Sequence, residues 1–314
     1  MRVRSVAVTT ALTGLLAAGA VGPAAAEPLP PECTQSDNHV TCVYTGNQQL
    51  DGGYGRGTFL PLPASVTRVH IEAIGAPGAD SCCHTVAPGG RGARVGGDVT
   101  VPPGARLIAR VAEGEGSQGG RTRAVPGADP AAEPNVMGGN GGGISSVRLD
   151  SGVITPPSTV PGTTELATAA GGGGGAASWD GQQSPGGDAG LPGAGARGGA
   201  AGGPATPLAP GGGKDVFNGS ISHPGGDGGP GYGGSGGGGL TGTGAVGGGG
   251  GGGAGWRGGG GGAIGGQGDD GRGDPAVPPG GGGGGASLIP PGGTTDLVER
   301  DVQPQVVISF DLPA

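Results

Sequence analysis

The chain has 314 residues, 86 of them glycine and 30 proline, with aromatic residues at 3 % and a formal charge of −8 at neutral pH. This composition excludes an ordinary side-chain core over the whole length. Lys214 is the only lysine and there is no basic run, which makes nucleic acid and anionic membrane surfaces poor partners.

From the N-terminus, Arg2 and Arg4 precede an apolar stretch from Val6 to Val21, and Ala24-Ala25-Ala26 follows it. This reads as a secretory signal over 1–26, with the mature chain starting at Glu27 and an N-terminal segment over 27–39. A membrane anchor needs roughly 20 apolar residues. The stretch is shorter and no second one follows, so the expected product has no membrane span and is secreted, extracellular or held at the cell surface by other contacts. Cys33, Cys42, Cys82 and Cys83 all precede the glycine tracts. In an exported chain they are disulfide candidates with three connectivities. Cys33 with Cys42 closes a short loop; Cys82 and Cys83 either bridge each other or pair with the earlier two. The alternative is a metal site from Cys82, Cys83 and His84 with His70, but the usual ligand pairs two to four residues apart are missing.

Strands are expected at Val40–Thr45, Gly57–Leu60, Val66–Ile74, Gly97–Val101 and Leu107–Ala112, with Ile144–Leu149 and Glu165–Ala169 beyond them. Val69, Ile71 and Ala73 alternate with Arg68, His70 and Glu72, the pattern of a half-buried strand with one wet face. The glycine runs Gly247–Gly253, Gly258–Gly262 and Gly280–Gly285 follow. A last strand, Gln305–Leu312, alternates Val306, Ile308 and Phe310 with Val307, Ser309 and Asp311, and is expected to return to the sheet begun before residue 112.

Glycine in regular structure costs roughly 0.5–1 kcal/mol relative to alanine. Over the tract this reaches on the order of tens of kcal/mol, against a net stability of about 5–15. Either the tract is disordered, or dense backbone hydrogen bonding offsets the loss. Collagen needs unbroken glycine triplets; Gly187, Gly190 and Gly193 are followed by Ala196, which breaks the phase. The ordered alternative is the extended threefold polyglycine helix, packed sideways through N–H to C=O bonds. A net gain of about 0.5–1.5 kcal/mol per bond is the right size to offset the entropy.

Several segments then fall in a familiar order. Val43-Tyr44-Thr45-Gly46 with Gln49 leads to Leu62–Ala76, Gly89-Gly90-Arg91-Gly92 and Val101-Pro102-Pro103-Gly104. Gly141–Leu149, Ala169-Ala170-Gly171-Gly172, Gly283–Ile289 and Gln305–Phe310 complete the set. The ordered set resembles the glycine-rich domain of the anaplastic lymphoma kinase and leukocyte tyrosine kinase receptor ectodomains, found also in exported bacterial proteins, over roughly residues 40–312. The resemblance implies a jelly-roll-like β framework carrying packed polyglycine helices. It carries over no ligand and no kinase activity. Cys82-Cys83-His84 and the inserts around Arg121–Pro134 and Pro156–Thr164 depart from it.

Site motifs are weak. Gly233-Gly234-Ser235-Gly236-Gly237 lacks the strand and helix of a nucleophile elbow. Lys214 is followed by Asp215, where a phosphate loop needs serine or threonine. Gly265–Asp270 matches the start of one calcium-binding nonapeptide, and Asp269, Asp270 and Asp274 are weak calcium candidates against a solvated acidic turn. Arg272-Gly273-Asp274 is read as a coincidental adhesion tripeptide. The four histidines show no ligand spacing, and no carboxylate pair stands out. Trp179, Phe217, Tyr232 and Trp256 either staple the ends of the glycine bundle or contact a partner.

The expected fold is mainly β: a jelly-roll-like framework over 40–170 and 286–312, with a polyglycine-II bundle over about 171–285, and no significant α-helix after the signal. The expected function is that of an exported, non-enzymatic structural or surface-recognition protein, without cofactor or metal, whose partner is an extracellular protein or glycan. The alternatives are a disordered or elastic wall or matrix protein and a jelly-roll binding module.

Overall fold

The computed structural model describes residues 29–45, 57–82, 86–113, 137–150, 163–178, 183–191, 193, 226–229, 245–263, 265–266 and 279–313. The expected signal over 1–26 lies outside them. The described chain is mainly β, with no helix, and every sheet is antiparallel.

The first sheet contains β1 (Cys33–Ser36), β2 (His39–Tyr44), β4 (Arg68–Ile74), β5 (Ala93–Thr100), β13 (Thr294–Leu297) and β14 (Gln305–Asp311), in the order β1-β2-β14-β4-β5-β13. The last strand therefore returns to the first ones, as its alternation suggests, and inserts between β2 and β4. The second sheet runs β3 (Thr58–Pro61), β6 (Arg106–Glu113), β7 (Ile144–Asp150) and β8 (Thr163–Ala169) in that order.

The two sheets bury one shared core. Val40, Cys42, Val69, Ile71, Val95, Val306, Ile308 and Phe310 face Leu60, Leu107, Val111, Val147 and Ala167, all at 3 % exposure or less. Period-2 alternation fixes this, because the same strands turn Arg68, His70, Ser309 and Asp311 outward. Cys33 and Cys42 stand opposite each other in the β1–β2 hairpin and form a disulfide. Closing so short a loop contributes about 2–3 kcal/mol in the chain-entropy account. Cys82 is disulfide-bonded as well, and Cys83 lies outside the described residues.

The glycine segments continue directly from the strands. Segment 75–82 leaves β4, 86–92 leads into β5, 137–143 into β7, and 170–175 leaves β8. They pack with 185–191, 226–229, 249–256, 257–263 and 279–286 through backbone hydrogen bonds whose partners advance by three residues. In 170–175, the amides of Gly171 and Gly174 donate to Ala254 and Gly251, those of Gly172 and Gly175 to Ala76 and Ala79, and that of Gly173 to Gly187. The carbonyls of Gly171 and Gly174 accept from Gly285 and Gly282, those of Gly172 and Gly175 from Gly142 and Gly139, and that of Gly173 from Gly90. One short segment is thus bonded to six others. A β-ladder repeats every two residues and serves two neighbours, so this pairing is not a sheet.

The approach is close enough to require glycine. A Cβ on Gly174 would lie 1.9 Å from the Gly139 carbonyl oxygen, and one on Gly250 would lie 2.0 Å from that of Gly174. A third sheet, absent from the sequence reading, lies in the same region: β10 (Gln183–Ser184), β9 (Ala176–Ser178), β11 (Ala245–Gly248) and β12 (Gly265–Gly266), adjacent in that order. Its strands are short and flanked by glycine, so no alternation announces them.

Candidate functional site

Among the described residues, a polar recess lies on the outer face of the first sheet, at the end where β2, β14, β4 and β5 meet the turn at Ala64–Ser65. It holds about 420 Å³ and is lined by His39, Ser65, Thr67, Arg68, His70, Asp98, Ser309 and Asp311, with Val66, Val69 and Phe310 beneath. The cross-strand register builds it. Asp98, His70 and Ser309 stand side by side on β5, β4 and β14, and Ser309 is opposite Thr41 on β2. Two residues further along, Asp311 is opposite His39.

Each histidine meets a carboxylate through Nδ1, His70 with Asp98 Oδ1 and His39 with Asp311 Oδ1, both at 2.7 Å. Arg68 donates to Asp98 Oδ2 at 2.7 Å. The hydrogen bond from His70, followed by that from Arg68, holds the Asp98 carboxyl below the ordinary range. Asp98 is therefore the acceptor at neutral pH, and His70 donates to it from Nδ1. The side chains are about half exposed, so the arrangement positions groups for contact without desolvating them.

A second ionic cluster ties glycine segments to one another and, through Arg300, to the loop between β13 and β14. Asp188 accepts from the Arg91 amide, Nε and guanidinium, and Asp80 accepts from the Gly89 amide and Arg300. Burial pushes the Asp188 carboxyl up, but the bonds from Arg91 outweigh it and leave the group below its usual range. A carboxyl depressed in the folded state stabilises the fold above its unfolded pKa of about 3.9 and loses that contribution as pH falls through the folded value. The urea midpoint of the wild type is thus expected to fall as pH drops below about 4. Asp188→Asn should lower the midpoint at pH 7 and flatten the acid slope, read from urea titrations at pH 7, 4 and 2.5. An unchanged slope would place the acid sensitivity elsewhere.

Of the residues singled out in the sequence, Cys33 and Cys42 join the first sheet, and Trp256 sits half-buried at the bend between segments 249–256 and 257–263. Its amide donates to Ala286, and the Arg257 guanidinium lies 5.8 Å from its ring centre. Trp179, Phe217, Tyr232, Asp269, Asp270, Asp274 and His84 lie outside the described residues. Sequence spacing missed the His39–Asp311 and His70–Asp98 pairs, whose members are 272 and 28 residues apart. Alternation placed His70 on the wet face, but only the register reveals its neighbours. Among the described residues no group of three or more His, Cys, Asp or Glu side chains is placed to hold a metal, and no helix is long and apolar enough to cross a membrane. No protein-family model matches the chain, and no curated protein matches it.

Proposed function

We propose that the protein is an exported, non-enzymatic recognition scaffold of the glycine-rich receptor-domain type, in which a polyglycine-II bundle stiffens a jelly-roll sandwich whose outer face makes the contact. The observation that carries this reading is the three-residue step of the backbone bonds around 170–175. Threefold extended helices project an N–H and a C=O in three directions in turn, which suits six neighbours. The same bonds argue against an elastic or disordered tract, since each contributes about 0.5–1.5 kcal/mol toward the cost of ordering glycine. Two disulfide-bonded cysteine sites fit an oxidising, extracellular compartment. The binding-module reading is joined to the scaffold reading by the polar recess on the first sheet, and the ion-paired state of its acidic and basic groups favours contact over catalysis.

Amide hydrogen exchange on the mature chain tests the proposal. Gly171–Gly175, Gly250–Gly253 and Gly280–Gly285 should exchange as slowly as Val69–Ile71 in β4. Uniformly fast exchange there would refute the scaffold and favour the elastic alternative. X-ray scattering gives the same separation, with a radius of gyration near ~19 Å expected for the compact chain and ~60 Å for an unfolded one.

A further inference from the structure

We infer that the recess on the first sheet takes a neutral, hydroxyl-rich ligand, a carbohydrate of one or two sugar rings. This rests on reading the outer face as the contact surface, and it deepens that reading by naming the ligand class. A free anion would meet Asp98 and Asp311, and a free cation would meet Arg68 and compete with the histidines for their carboxylates. An apolar ligand finds no wall, because Val66, Val69 and Phe310 are at most 3 % exposed and belong to the core beneath.

What stays exposed is hydroxyl and ion-paired polar surface. Ser65 and Thr67 are exposed, and Ser309 lies between Thr41 and His70 at the centre of the recess. A sugar hydroxyl donates and accepts at once. It can donate to a remaining lone pair of Asp98 or Asp311 while accepting from Arg68 or a serine hydroxyl, leaving every existing ion pair in place. Neither charge class has that property. The volume of about 420 Å³ lies in the range of small-ligand sites, and its open, half-exposed rim suits the end of a longer chain of sugars.

The test is titration calorimetry of the full mature protein against methyl glycosides and trisaccharides of neutral hexoses and N-acetylhexosamines, beside sulfated oligosaccharides and polyamines. Ser309→Leu fills the recess from an outward position, Thr67→Leu does so from the adjoining turn, and Trp256→Ala is the distant control. The expected result is binding of at least one neutral glycan, weakened at least tenfold by Ser309→Leu and by Thr67→Leu at unchanged unfolding midpoint, and unaffected by Trp256→Ala. Binding of sulfated sugars or polyamines alone, lost in the two leucine variants, would overturn the ligand class and leave the contact face standing. Neutral-glycan binding lost only in Trp256→Ala would overturn the site. If no probe of any class responds to either leucine variant, the inference and the contact-face reading both fall.

Discussion

Gly173→Ala is expected to destabilise the fold by about 3 kcal/mol or more, at or beyond the upper end of ordinary overpacking. The new methyl carbon would stand 2.0 Å from the carbonyl oxygen of Gly282 and 2.5 Å from its carbonyl carbon. Nothing there can yield as a side chain would. Gly282 donates to Gly174 and accepts from Gly187, while Gly173 donates to Gly187 and accepts from Gly90. Moving Gly282 aside therefore breaks its bonds to two other segments, each worth about 1 kcal/mol and each leaving a buried polar group behind. Gly96→Ala is the control. A Cβ there meets nothing closer than Thr294 Oγ1 at 3.6 Å, so the substitution should be neutral or stabilise by about 0.4–1 kcal/mol through the unfolded chain. Urea titration reads both. Equal midpoints for Gly173→Ala and wild type would show that the tight approach of these segments is not what holds the glycine region together.

The framework was legible in the sequence because half-burial writes a two-residue alternation. Arg68–Ile74 and Gln305–Asp311 carry that pattern along most of their length, and the pattern locates both within two residues of their ends. Three kinds of element were not legible. The expected strand from Gly97 covers only the C-terminal half of β5 and misses its start at Ala93. At Gly97 the absence of a side chain admits Pro290 and Gly293, 3.1 Å from where a Cβ would stand. Edge strand β13 (Thr294–Leu297) is exposed over its first three residues and has no apolar face to announce it. The glycine segments have no side chains from which a register can be read, so the sequence yields the threefold helix as an option but not which segments touch. The recess suffered the same loss: His39 and Asp311 become neighbours only through the β2–β14 register, and no spacing within either strand encodes that. The cysteine count likewise leaves three disulfide connectivities open, and the β1–β2 hairpin selects Cys33 with Cys42.

A second large effect is expected at β14, which lies between β2 and β4 in the first sheet. Ile308 is fully buried, opposite Cys42 on β2 and Ile71 on β4. Ile308→Ala should cost about 3–4 kcal/mol, within the range for truncating a buried aliphatic residue. Ser309→Ala, one position along and facing outward, should stay within about 0.5 kcal/mol. Ending the chain after Pro304 goes further. It removes Val306, Ile308 and Phe310 and leaves facing edges of β2 and β4 unpaired in mid-sheet. The glycine region should lose its order together with the sandwich, because segments 75–82, 86–92, 137–143 and 170–175 are held in register by β4, β5, β7 and β8. Glycine chains offer no side-chain contact to recover that register once the strands separate. Hydrogen exchange on the truncated chain should therefore show Gly171–Gly175 as unprotected as Val69–Ile71. Persisting protection at the glycines alone would mean that the backbone lattice folds independently, and that the sandwich is carried by it rather than the reverse.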